Sequence, residues 1–110
     1  MIGGPLRSLA RRRQARSQRA SSYDRSGGNQ DYAWVQPGET VTLLEMGGAS
    51  CITHIWMTCA CQEPLCLRRC VLRTWWDGEP VPSVEVPLGD FFGLVHVETR
   101  TLASLPLATI

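Results

Sequence analysis

The chain is 110 residues long, with a mass of 12.2 kDa; 44 % of its residues are apolar and 19 % charged, the size and balance of one small folded domain. No apolar run approaches the ~20 residues of a membrane span, and the composition is neither collagen-like nor that of a wholly disordered chain. All eleven basic residues are arginines, and six of them fall in residues 1–20 (+6), so residues 21–110, with five arginines against ten acids, carry −5.

Residues 1–20 form an Arg-rich lead-in (Arg7, Arg11, Arg12, Arg13, Arg16 and Arg19). Leu6, Leu9 and Ala10 sit at helical spacing, which predicts a short helix with one apolar edge, or a coil. Clustered arginines can bind phosphates by releasing counterions. This cluster has no interleaved aromatics and no helix-turn-helix or zinc-finger pattern, so it is read as a solvated face and no nucleic-acid partner is expected. It also lacks the ~7–15-residue apolar stretch of a secretory signal, so a cytoplasmic location is expected.

Residues 21–32 (SSYDRSGGNQDY) gather polar side chains around a glycine pair that lets the backbone approach a ligand closely. Asp24, Arg25, Asn29 and Asp31 supply the mixture of acceptors and donors that sugar hydroxyls need, and Tyr23, Tyr32 and Trp34 offer ring faces. The same residues also suit an ordinary Asx/Gly loop whose polar groups bond their own backbone.

From residue 33 the chain reads as short strands between turn signals. Ala33–Gln36 leads into the turn Pro37-Gly38-Glu39, and Thr40–Glu45 alternates until Gly47-Gly48 breaks it. Cys51–Ala60 (CITHIWMTCA) is apolar on both faces, as in a strand buried on both sides or covered by a subunit. After Gln62-Glu63-Pro64, Leu67–Trp76 places Cys70, Leu72, Thr74 and Trp76 on one face. Asp77-Gly78 marks a tight turn. Ser83–Leu88 then sets Val84, Val86 and Leu88 against Ser83 and Glu85. Asp90 precedes Phe91-Phe92-Gly93 as a turn-fixing residue, and the apolar tail Leu102–Ile110 calls for a partner strand. This spacing predicts an all-β chain, an antiparallel sandwich or jelly roll.

Five cysteines (Cys51, Cys59, Cys61, Cys66 and Cys70) are an odd number without a secretory signal, which argues against a disulfide framework. The C-x-C-x4-C-x3-C spacing matches no zinc knuckle. Cys59 and Cys61 share a strand face, but nothing aims Cys66 and Cys70 at the same point, so the thiols read as small hydrophobes and no metal or other cofactor is expected. His54 and His96 each stand alone in apolar surroundings and read as structural.

Three blocks, SSYDRSGGNQDYAWVQPGET, CITHIWMT and LRTWWDGEPVPSVEVPLGDFFG, resemble in this order the glycoside hydrolase family 172, once filed as domain of unknown function 2961. The resemblance runs over about residues 15–95. It implies a β-jelly-roll-like sandwich of which residues 21–110 form about one half, homo-oligomers built on trimers, and exo-acting cleavage or intramolecular transfer at furanoside linkages of fructose or arabinose. It places the two catalytic glutamates downstream of the WDGE block, in a region this chain does not contain, so no catalytic role passes to any residue here. Sugar contact passes to Asp24, Arg25, Asn29 and Asp31. The chain departs from the family pattern at Gln30, where a second acid is common, and in the cysteine-rich insert Cys59–Cys66.

The carboxylates of the chain do not make an acid–nucleophile pair by spacing. A retaining glycosidase holds two carboxyl groups ~5–5.5 Å apart with their pKa values split. Glu79 and Glu85 are separated by a proline-rich turn, Asp77 and Glu79 cap a turn locally, and Asp24 and Asp31 have no neighbour that would split them. Two readings follow: the N-terminal part of a furanoside-active hydrolase that is inactive alone, or a β-sandwich module that binds a sugar without cleaving it.

Overall fold

A computed structural model describes Leu6 and residues 9–110. Two compact units divide the chain, Met1–Thr53 and His54–Ile110. The first has no helix or strand among its described residues and is organised by turns. Of the expected lead-in helix, residues 1–5, 7 and 8 lie outside those described; Leu9 N donates to Leu6 O (3.1 Å), one turn, and residues 12–20 carry no regular structure. The Pro37-Gly38 turn forms as expected: Glu39 N donates to Gln36 O (2.9 Å), Gln36 N donates to Glu39 Oε2 (2.7 Å), and Gly38 takes the φ of +79° that a type II turn requires.

Among the described residues, regular structure is confined to the second unit. It runs α1 (Cys66–Arg69), β1 (Val71–Thr74), β2 (Val84–Pro87), α2 (Leu88–Phe91), β3 (Leu102–Ala103) and β4 (Ala108–Thr109). The segment expected to be strand from Leu67 instead starts as a helical turn. Pro64 suits a helix entry, Leu and Arg are good helix formers, and the Glu63–Arg69 ion pair (2.5 Å) clips the turn shut. Cys70 then turns extended and β1 begins.

β1 and β2 form an antiparallel hairpin in which Leu72 faces Val86 and Thr74 faces Val84. Those even-numbered residues are the half-buried ones on β1, the face the alternation marked. Asp77 and Gly78 both adopt positive φ (52° and 74°), closed by Glu79 N on Trp76 O (3.0 Å), the mirror-image turn geometry that an Asp-Gly pair favours.

α2 packs on α1 at Gly89, one of the two buried residues among those described, the other being Cys66. The helix ends on Gly93 (φ +83°), with Leu94 N on Gly89 O (2.8 Å) and Gly93 N on Asp90 O (3.0 Å), a Schellman ending that needs the left-handed glycine. Asp90 therefore sits in a turn beside Phe91 and Phe92, whose rings meet edge to face at 5.0 Å, and its carboxylate pairs with Arg68 (2.5 Å). The tail finds its partner within itself: β3 pairs with β4, Leu102 opposite Thr109, around a turn held by Ser104 and Leu107.

The expected jelly-roll-like sandwich is not formed. The described residues contain two separate two-stranded antiparallel sheets, β1–β2 and β3–β4, and no closed or stacked sheet. Residues 33–36, 40–45 and 51–60 adopt no strand, and most of their apolar side chains stay exposed, Trp34 at 70 % and Trp56 at 75 %, with Val41 and Met57 half-buried. Alternation and β-branching favour an extended backbone, but a strand exists only where a neighbour takes up its N–H and C=O groups. No such ladder forms on these segments among the described residues.

Candidate functional site

Two clusters of chemically capable side chains stand out, one in each unit. The first is the loop of residues 22–32. Asp24 accepts at both oxygens: Ser26 N (2.9 Å) and Ser26 Oγ (2.6 Å) donate to Oδ1, and Gln30 N (3.2 Å) donates to Oδ2. The Asp24 N–H donates in turn to Asp31 Oδ1 (2.7 Å), while Ser22 Oγ donates to Asp31 O (3.0 Å). The loop is thereby closed on itself by its own carboxylates, as the Asx/Gly alternative anticipated. A Cβ at Gly28 would sit 2.5 Å from Asp24 Oδ2, so a larger residue there would push that carboxylate off its present hydrogen bonds.

The Ser26 hydroxyl, then the Ser26 and Gln30 amides, hold the Asp24 carboxyl below its ordinary value of 3.8, since each favours the ionised form. Of the four residues expected to touch sugar, the structure brings Asp24 and Asp31 together. Arg25 lies over the Tyr23 ring, 5.4 Å from its centroid, a cation–π contact that leaves the edges of the guanidinium as donors. The Asn29 side chain is exposed and has no hydrogen-bond partner among the described residues. Tyr32 and Trp34 meet edge to face at 5.4 Å, leaving the indole largely in solvent. The loop thus presents donors from Arg25 and Asn29, acceptors from Asn29 and Asp31, and an open aromatic face.

The second cluster was not legible in the cysteine spacing. Cys59, Cys66 and Cys70 bring their sulfurs within 4.8 Å of one another, with Sγ···Sγ distances of 3.6 Å for Cys59–Cys66 and 3.7 Å for Cys66–Cys70. The helical turn α1 causes this: Cys66 and Cys70 stand one turn apart, on the same side. A strand reading of Leu67–Trp76 left them unrelated, whereas the i, i+4 spacing after Pro64 was the signal. Burial pushes the Cys66 thiol up, and its cysteine neighbours push it further; burial also raises Cys59. All five cysteines are free thiols, and Cys51 lies outside the cluster. His54 and His96 are exposed and join no metal-ligating group among the described residues.

Among the described residues, no helix is long and apolar enough to cross a membrane. No curated protein and no solved structure matches the chain. The family model described as GH172 domain-like matches residues 28–108. That span begins inside the polar loop at Gly28, takes in Asn29 and Asp31, and runs through the cysteine cluster and both hairpins. The match covers most of the chain and agrees with the three sequence blocks, so the chain belongs to the GH172 domain-like family of glycoside-hydrolase-related proteins.

Proposed function

We propose that this chain supplies the sugar-contacting part of a furanoside-active glycoside hydrolase, binding fructofuranosides or arabinofuranosides through the loop of residues 22–32 without cleaving them itself. The observation that carries the reading is the state of the loop carboxylates. A general acid for glycoside cleavage needs a carboxyl group whose pKa is raised. Asp24 is shifted the other way, with both oxygens engaged by the loop's own donors. Such a carboxylate organises a binding loop and cannot lend a proton near neutral pH. Arg25, Asn29 and Asp31 then bond the sugar hydroxyls, and Trp34 provides the apolar surface on which a furanose ring rests.

A homo-oligomer is part of this reading: residues 33–36, 40–45 and 51–60 have no ladder among the described residues, and strands supplied by other copies would take up their free backbone groups. Isothermal calorimetry with methyl fructofuranoside and methyl arabinofuranoside, alongside assays for released sugar, tests the reading. We expect saturable binding that is lost in Asn29→Ala and in Asp31→Ala, with no turnover. Turnover by the pure chain overturns the non-catalytic assignment, and absence of binding overturns the loop's role.

A further inference from the structure

The three-thiol cluster has a geometry that the sugar reading does not use. Sγ···Sγ separations of 3.6 and 3.7 Å are far longer than the ~2.05 Å of a disulfide. A tetrahedral ion with metal–sulfur bonds of ~2.3 Å sets its sulfurs about 3.8 Å apart. Two of the three sulfur–sulfur edges therefore already stand near the edge length of a zinc–thiolate tetrahedron, and all three lie within 4.8 Å. Two of its members are fixed by backbone structure. Cys66 is buried at the start of α1, and Cys70 is tied on both sides, with Cys70 N donating to Cys66 O (2.8 Å) and Leu88 N donating to Cys70 O (2.8 Å).

The fourth direction is open. A depression of about 170 Å³ lies against the cluster, lined by Cys59, Cys61, Glu63, Cys66, Val97 and Thr99. Glu63 is engaged with Arg69 through Oε1, and the three ligand atoms that stand together are sulfurs. Thiolate donors without hard oxygen ligands select soft or borderline ions such as Zn²⁺ over Mg²⁺ or Ca²⁺.

We propose that Cys59, Cys66 and Cys70 form a three-thiolate site for one Zn²⁺ ion, with the fourth coordination position facing the depression. Each thiol gives its proton to solvent as the ion binds. The site ties the irregular segment around Cys59 to α1 and β1, a cross-link that a unit with so little buried apolar surface lacks otherwise.

The test uses the full chain, reduced with a phosphine that does not bind metals. Zn²⁺ is titrated against a chromogenic chelator, and Co²⁺ is added as a spectroscopic probe. We expect one ion per chain, intense tetrahedral Co²⁺ bands with sulfur-to-metal charge transfer, and displacement of Co²⁺ by Zn²⁺. Cys66→Ser should lose about tenfold or more in affinity, while Cys51→Ser binds like the parent. A second measurement avoids variants that fold poorly: Zn²⁺ should protect Cys59, Cys66 and Cys70 of the parent chain from alkylation and leave Cys51 reactive. Equal alkylation with and without Zn²⁺, or unchanged affinity in Cys66→Ser, overturns the site.

Discussion

Gly89→Ala probes the closest approach in the second unit. A Cβ at this position would lie 2.9 Å from Leu67 Cβ, 3.0 Å from Leu94 O and 3.3 Å from Leu67 O. None of these atoms is the free end of a flexible side chain, so relief requires α1 and α2 to separate. Overpacking of this kind costs about 1–3 kcal/mol. Opposing it, alanine is favoured over glycine inside a helix by roughly 0.5–1 kcal/mol. The net expectation is a loss of about 1 kcal/mol within a range of roughly 0–2.5 kcal/mol, a large share of the stability of a small unit. Urea unfolding followed by circular dichroism and tryptophan fluorescence should show a lower midpoint with an unchanged slope. Gly47→Ala, where an added Cβ meets nothing within 4 Å, is the control and should leave the midpoint in place. A Gly89→Ala chain as stable as the parent would refute the contact between the two helical turns.

Further expectations concern charge. The folded pKa of Asp24 is lowered from its ordinary 3.8, so its contribution to loop order is complete above that value and is lost only as pH falls through the lower folded value. Sugar binding and the Ser26 amide shift should therefore stay flat between pH 7 and 5, and an amide titration midpoint above 3.8 would contradict the hydrogen-bonded loop. Arg68→Ala should cost about 1 kcal/mol in urea unfolding, after allowance for solvent screening, because the pair is partly exposed (side chains 44 % and 23 %) and the other Asp90 oxygen, Oδ1, is buried without a partner among the described residues. Arg73→Ala breaks a cross-strand pair to Glu85 that is about half exposed, so its cost should stay below about 0.5 kcal/mol; a larger loss than in Arg68→Ala would reverse this ordering.

By itself the sequence determined the features that rest on local chemistry. The Pro37-Gly38 and Asp77-Gly78 turns follow from residues that favour the required φ values, the β1–β2 face from period-two alternation, and family membership from three blocks of residues in order. The polar loop was legible as a set of hydrogen-bonding residues, and its wiring, with Asp24 and Asp31 closed on each other, followed the Asx/Gly alternative. Only tertiary structure decided what depends on partners distant in sequence. Extended propensity over residues 33–60 could not say whether a neighbouring strand exists, and none forms among the described residues, so the predicted half-sandwich gives way to two small hairpins. The cysteines show the same division. Their identities stand in the sequence, but whether residues 66–70 coil or extend decides if two sulfurs share a side, and the helical turn brings them to meet Cys59.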